Sequence, residues 1–103
     1  MQSELQIVTR GLHLTEDTKE IIHKKSADLD VLFPRITSCR LTLNGQENGH
    51  EGTFEVVAHL DLNVPSEELV VSRCHGPDVE TAVNSAFRGA RRLLKDYTSR
   101  LRK

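Results

Sequence analysis

The sequence predicts an α+β fold with the element order β-α-β-β-β-α, built as one four-stranded mixed sheet with two helices packed on one face. Three segments alternate apolar and polar residues with the period of a strand, and a fourth, shorter apolar segment also favours a strand. Residues 16–32 and 79–101 instead place apolar residues at helical spacing. Their order supports the sheet, because a strand-helix-strand unit favours a parallel crossover and short connections favour antiparallel hairpins.

The first strand and the first helix have clear limits. Residues 5–10 alternate as a strand with two dissimilar faces. Thr15 is a suitable helix N-cap because its hydroxyl can accept a hydrogen bond from a first-turn amide. We therefore predict a helix from about Glu16 to Leu32, which Pro34 prevents from continuing.

The middle of the chain predicts three further strands. Residues 38–43 alternate as a strand, and the polar, glycine-containing residues 44–52 predict a loop. The alternation of apolar and polar residues is clearest in residues 54–63. We expect the more polar face of this strand to be exposed to solvent. A turn over residues 64–68 leads to a fourth strand over residues 69–74. The inward face of the third strand is predicted to carry Phe54, Val56, Ala58, Leu60 and Leu62.

Length and composition fit a single domain over residues 1–103. Hydrophobic residues make up 37% and charged residues 28%, which is typical of a soluble globular protein. The longest apolar run is three residues and the start lacks a signal peptide, so we expect no membrane segment and a cytoplasmic location. Cys39 and Cys74 are expected two strands apart, about 10 Å, and therefore to remain thiols.

No enzyme signature is present in the sequence. It contains no nucleophile elbow, phosphate-binding glycine loop or zinc-protease motif, and its five histidines are scattered. We therefore predict no catalytic residue, no metal site, no cofactor and no small-molecule substrate.

Positive charge is concentrated in the second predicted helix. Residues 76–78 are predicted to open this helix, with Pro77 in its first turn. Residues 88–103 hold seven basic residues and one acid, although the whole chain has a net charge of -1. A helical wheel places Arg88, Arg91, Arg92 and Lys95 in one polar arc with Thr81, Asn84, Ser99 and Arg102. Such an arc can be a solvated surface, but four like charges that repel one another also favour a phosphate backbone as the partner.

Two lysines of the first helix extend this hypothesis. Lys25 falls within the apolar arc of that helix, where it could lie along the edge of the core with its ammonium in water. With Lys24 it could instead add a second cationic point beside the arginines. The four aromatic residues stand at or beside apolar positions, which disfavours a stacking platform for single strands and leaves recognition of folded RNA.

Several segments, in the same order along the chain, resemble the ribosome hibernation-promoting factor and ribosome-associated inhibitor family, also described as sigma-54 modulation or ribosomal S30EA-like proteins. They are residues 12–16, 21–25, 63–65 and 78–84. The resemblance, to a divergent short member, implies the fold given above. It also implies a non-enzymatic inhibitor that binds small-subunit rRNA in the mRNA and tRNA channel and silences idle ribosomes.

The resemblance also implies which residues bind. Lys24 and Lys25 stand where the family has paired lysines, and Arg92 where it has a basic residue. Gly89 and Asp96 occupy positions that are often basic in the family. In this sequence Arg88, Arg91 and Lys95 supply positive charge one position earlier along the chain. An alternative hypothesis is a module for protein interaction or weak self-association, which would use the open sheet face around Val57, His59 and Val71.

Overall fold

The computed structural model describes residues 5–48 and 53–101 and has the predicted element order. Its strands are β1 (Gln6–Arg10), β2 (Ser38–Asn48), β3 (Thr53–Val64) and β4 (Glu67–Gly76), and its helices are α1 (Glu16–Leu32) and α2 (Val79–Leu101). The strands lie side by side in chain order, with β1 parallel to β2 and the other pairs antiparallel. The predicted fold class, mixed sheet and strand order are therefore confirmed.

Helix α1 has the predicted bounds and the predicted N-cap. The hydroxyl of Thr15 accepts a hydrogen bond from the backbone amide of Thr18 at 3.1 Å. At the other end the backbone amide of Phe33 donates to the carbonyl of Leu29, and Pro34 follows. Both ends are therefore fixed by local sequence, as expected from the capping residue and the proline.

Helix α2 starts at Val79, after the segment 76–78 predicted to form its beginning. Asp78 is its N-cap, because the Oδ1 atom accepts a hydrogen bond from the Thr81 amide at 2.7 Å, so Pro77 precedes the helix and does not lie in its first turn. That backbone hydrogen bond, with a second from the Thr81 hydroxyl, holds the pKa of Asp78 below its usual range. The cap is therefore complete at neutral pH and weakens as acid protonates Asp78.

The predicted loop over residues 44–52 is wrong where the structure describes it. Strand β2 continues to Asn48, and residues 44–48 pair with Thr53 to Val57 of β3. Cross-strand hydrogen bonds satisfy this polar backbone, so pairing overrides composition. Gly45 permits the pairing, because a Cβ there would lie 2.6 Å from the Phe54 ring. Residues 49–52 lie outside the described part of the chain.

The core lies between the sheet and the two helices. Four of the five predicted inward residues of β3 are buried, whereas Phe54 is 45% exposed and rests over Gly45. The predicted turn over residues 64–68 shrinks to Pro65 and Ser66, because β3 and β4 continue to Val64 and Glu67.

The two cysteines are free and lie on β2 and β4, with β3 between them. Cys39 pairs with Leu62 of β3 and Cys74 with Ala58, so they are also offset by four residues along the strands. Strand spacing then puts them roughly 16 Å apart, well beyond disulfide reach. Burial, with a smaller effect of Asp61, raises the pKa of the Cys39 thiol to about 12.

Candidate nucleic-acid interface

The orientation of α2 is set by its packing on β4. Its apolar stripe is buried, and Gly89 faces the sheet, where an added Cβ would lie 2.8 Å from Cγ1 of Val71. Residue 89 therefore lies inside the basic run of the sequence yet outside the charged surface. The absence of a side chain there lets the helix approach β4 closely and turns the neighbouring arginines toward solvent.

The cations of α2 form one exposed surface, here called the basic face. It consists of Arg88, Arg91, Arg92 and Lys95. None of the four is ion-paired with any residue in 5–48 or 53–101. Seven residues of helix separate its ends, which corresponds to roughly 10 Å along the axis. These side chains therefore lie together without a neutralising partner from the described chain.

Arg100, in the same basic segment of the sequence, is different. Its guanidinium lies 3.1 Å from a carboxylate oxygen of Glu67 on β4 and 6.0 Å from the centre of the Tyr97 ring. It connects α2 to the sheet, so part of the segment's positive charge is neutralised within the fold. Residues 102 and 103 lie outside the described chain.

A groove between the two helices connects the basic face to α1. We call it the inter-helix groove, and its volume is about 330 Å³. It is lined by Lys25, Asp28, Leu29, Leu32, Asn84, Phe87, Arg88 and Arg91. The helices thus bring three cations to one concave surface with an apolar floor.

The six residues predicted to bind nucleic acid are distributed over a wider surface than this groove. Lys25, Arg88 and Arg91 line it together, which joins the two helices as the prediction required. Lys24 is exposed on α1 and does not line it. Arg92 and Lys95 are exposed on the basic face, and helical geometry turns Arg92 away from α1 into the sector between Arg88 and Gly89.

Asp28 is the residue of this site that sequence reasoning missed. It lies three positions after Lys25, the spacing that puts two side chains on one helix surface, so its carboxylate lines the same groove. The i,i+3 spacing of Lys25 and Asp28 is visible in the sequence and indicates a shared helix surface. The groove therefore holds one carboxylate against three cations.

Residues 5–102 match the sequence profile of the family described as Sigma 54 modulation protein / S30EA ribosomal protein. The chain belongs to this family. The resemblance expected from the sequence is thereby confirmed, and the family's description names a ribosomal protein. None of the curated protein sequences matches this S30EA-family chain.

Solved structures of two other proteins share its fold. A ribosomal subunit interface protein from Coxiella burnetii superposes with a TM-score of 0.79 at 12% identity, covering 92% of this chain and 97% of that one. The N-terminal domain of Protein Y from Thermus thermophilus gives a TM-score of 0.67 at 17% identity, covering 89% of this chain and 94% of that one. At these identities the similarity establishes the fold.

The open face of the sheet is less apolar than predicted. Val71 packs toward α2 and not outward, because it lies two residues after buried Leu69 on the same strand and pairs with buried Leu60. Its assignment to the open sheet face was therefore wrong. Val57 and His59 do lie on that face, where His59 is bonded to Asp61 at 3.0 Å. Charged and polar groups thus interrupt the surface offered for a partner protein.

Within residues 5–48 and 53–101, no cluster of three or more His, Cys, Asp or Glu side chains is arranged to hold a metal ion. In the same ranges, neither helix has a segment apolar enough to span a bilayer.

Proposed function

We propose that this protein is a ribosome-associated, non-enzymatic inhibitor of translation that acts in the cytoplasm as one domain. In this proposal the basic face and the lysines of α1 bind rRNA of the small subunit, in the channel used by mRNA and tRNA. The bound protein then excludes both ligands sterically and silences an idle ribosome. Membership of the S30EA family supports the ribosome as the partner.

The observation that carries the proposal is the convergence of unpaired cations from two helices. Lys25 of α1 meets Arg88 and Arg91 of α2 across the inter-helix groove, and Arg92 and Lys95 continue the charge. Guanidinium groups suit phosphate because they present several donors in a fixed plane. A phosphate backbone would also relieve the repulsion among these cations, none of which forms an ion pair with a described acid.

The mode of recognition follows from the side chains available. Phe87 is buried in the floor of the groove, so no aromatic ring of the basic face is free to stack on a base. Contacts from arginine and lysine to phosphates position a protein without reading sequence. We therefore expect recognition of the shape of folded rRNA, with affinity that falls steeply as salt is added.

Sedimentation with purified ribosomal subunits tests the proposal. We expect the protein to pellet with small subunits at low salt, to be released as salt rises, and to suppress initiation in a reconstituted translation system. If saturating protein stays in the supernatant at low salt and leaves initiation unchanged, the proposed function is wrong.

A further inference from the structure

The open face of the sheet holds a second cationic concavity, at the end where β1 finishes. Its volume is about 510 Å³, and all four strands contribute to it. The lining residues that bear on its chemistry are Arg10, Asn44, Gln46, Val57, Arg73 and His75. We call this surface the sheet-face cradle. It lies on the side of the sheet opposite the helices, so it is separate from the inter-helix groove.

A backbone irregularity places one of its arginines. Cys74 pairs with Ala58 and Val71 pairs with Leu60, so two residues of β4 stand opposite His59 alone. The second of these, Arg73, has a φ of 59°, a left-handed conformation that glycine adopts without strain and other residues adopt at a cost. Bulges of this kind change the direction of a side chain, and here Arg73 lines the cradle. A strained position occupied by a long cationic residue indicates a functional site.

The charges of the cradle favour an anion. The side chains of Arg10 and Arg73 are neither hydrogen-bonded nor ion-paired to any residue within the two described ranges. Glu55 also lies on this face, and its carboxylate is bonded to Nδ1 of His75 and is thus already partnered. Two guanidinium groups therefore remain available above a floor that includes Val57, with the amides of Asn44 and Gln46 beside them.

We propose that the sheet-face cradle binds phosphates of an RNA backbone, so that the protein contacts RNA on both sides of its sheet. Arginines on the two edge strands, one at each end of the cradle, are suited to phosphodiester oxygens, and the side-chain amides between them can add donors to phosphate or ribose. No Phe, Tyr or Trp of the described chain lines the cradle, and its single imidazole, that of His75, is bonded to Glu55, so the cradle favours contacts to phosphate over stacking on a base. The choice of RNA as the source of the phosphate rests on the proposed function.

This inference changes the expected mode of binding. A protein with one cationic surface lies on an RNA, whereas a protein with cationic surfaces on opposite sides fits into a cleft between two RNA segments. Both surfaces would then contribute phosphate contacts, and the salt dependence of binding would exceed what the basic face alone can supply.

The test measures binding of a folded RNA hairpin and of inorganic phosphate, by nuclear magnetic resonance and by salt-dependent titration. Arg10→Ala/Arg73→Ala removes the cradle's arginines. Arg40→Ala is the matched control, because Arg40 is also exposed on the open face but lies on β2 about 13 Å from Asn44 along the strand. We expect the double variant to lose roughly tenfold in affinity for the hairpin and to flatten the salt slope by about 1.4 to 1.8, and Arg40→Ala to change little.

Arg73→Gly separates a structural effect from a binding effect. Glycine removes the cation and relaxes the left-handed backbone, so this variant should be at least as stable as the parent yet bind the hairpin more weakly. Arg73→Lys keeps the charge and should retain most of the affinity. If Arg73→Gly binds the hairpin as tightly as the parent, the inference is overturned.

The remaining outcomes distinguish this inference from the proposed function. If replacing the basic face abolishes binding of the hairpin and the cradle variants leave it unchanged, the inference fails and the proposed function stands. If neither surface responds to the hairpin, both fail. If inorganic phosphate shifts the cradle resonances at lower concentration than the hairpin does, the site takes a free anion and the RNA proposal is wrong.

Discussion

The helix side and the open side of the sheet treat their charges differently. On the helix side, Arg88, Arg91, Arg92 and Lys95 have no ion-pair partner in the described chain. On the open side, His59 bonds Asp61 and His75 bonds Glu55, whereas the two arginines of the sheet-face cradle have no partner among residues 5–48 and 53–101. The open side thus mixes paired charges with unpaired cations, whereas the basic face is unpaired throughout, and an unpaired cationic surface lowers its free energy by binding an anion. The net charge of -1 conceals this difference.

The largest expected effect comes from removing the basic face. Replacing Arg88, Arg91, Arg92 and Lys95 with alanine should weaken rRNA binding broadly and flatten the log-affinity against log-salt slope by roughly 0.7 to 0.9 for each lost contact. The fold should not suffer, because alanine is a better helix former and like-charge repulsion is removed. Filter binding over a salt series and thermal unfolding measure the two effects.

A control variant of equal charge change makes this result specific to position. Lys19, Arg35 and Arg40 are exposed outside the basic face, and replacing all three with alanine removes the same formal charge as a basic-face variant restricted to Arg88, Arg91 and Arg92. We expect that control to keep most of its affinity. If both variants bind equally well, or if the basic-face variant is folded and keeps the parent's affinity and slope, the comparison between the two sides is wrong.

The inter-helix groove allows a prediction with opposite signs for two neighbouring residues. Lys25→Ala should lower affinity for rRNA roughly threefold to tenfold, because one partly exposed contact from its ammonium group to a phosphate is lost. Asp28→Asn should raise affinity by a smaller factor and steepen the salt slope, because it removes the carboxylate that lines the groove. Lys24→Ala tests whether the surface extends beyond the groove. If Lys25→Ala lowers stability and leaves binding unchanged, Lys25 serves only in packing.

Gly89 tests whether the orientation of α2 depends on its close approach to β4. Alanine favours a helix over glycine by about 1 kcal/mol, but its Cβ would meet the stiff Val71 side chain at 2.8 Å, and such overpacking costs about 1 to 3 kcal/mol. We expect Gly89→Ala to lower the free energy of unfolding by about 1 kcal/mol. Combining it with Val71→Ala should recover part of the loss in a double-mutant cycle. If Gly89→Ala is stabilising, the approach is not tight.

Most of the fold could be predicted from local sequence signals, and the failures share a cause. Thr15 and Pro34 fixed the ends of α1 because caps and prolines act on their own neighbours. The extension of β2 beyond residue 43 and the faces of β4 could not be read locally. The extension depends on the ladder that β3 offers, and the faces of β4 were obscured by the bulge opposite His59, which interrupts the alternation after Val71.

For the candidate site, residue type was predictable and proximity was not. Periodicity placed Arg88 and Arg91 on one side of α2, but only packing brought Lys25 to the same groove. Asp28 was within reach of sequence reasoning through its spacing from Lys25. The sheet-face cradle was not, because Arg10 and Arg73 are 63 positions apart and come to line one concavity only through strand order and a bulge.

The smallest expected effect concerns the far end of α2, where a neutral hydrogen bond holds the helix to the sheet beside the ion pair between Arg100 and Glu67. The hydroxyl of Tyr97 donates to the carbonyl of Pro65 at 2.9 Å, at the turn between β3 and β4. Tyr97→Phe keeps the buried ring and removes this bond, so it should lower the free energy of unfolding by about 0.5 to 1.5 kcal/mol in a denaturant titration. Ser66, whose φ is 71°, provides the opposite change in the same turn, because Ser66→Gly relaxes a left-handed residue and should raise stability. Neither variant changes the charge of the protein, so both should keep the parent's salt slope for RNA. A changed slope in either variant would show that the anchoring of α2, and not only its cations, determines binding.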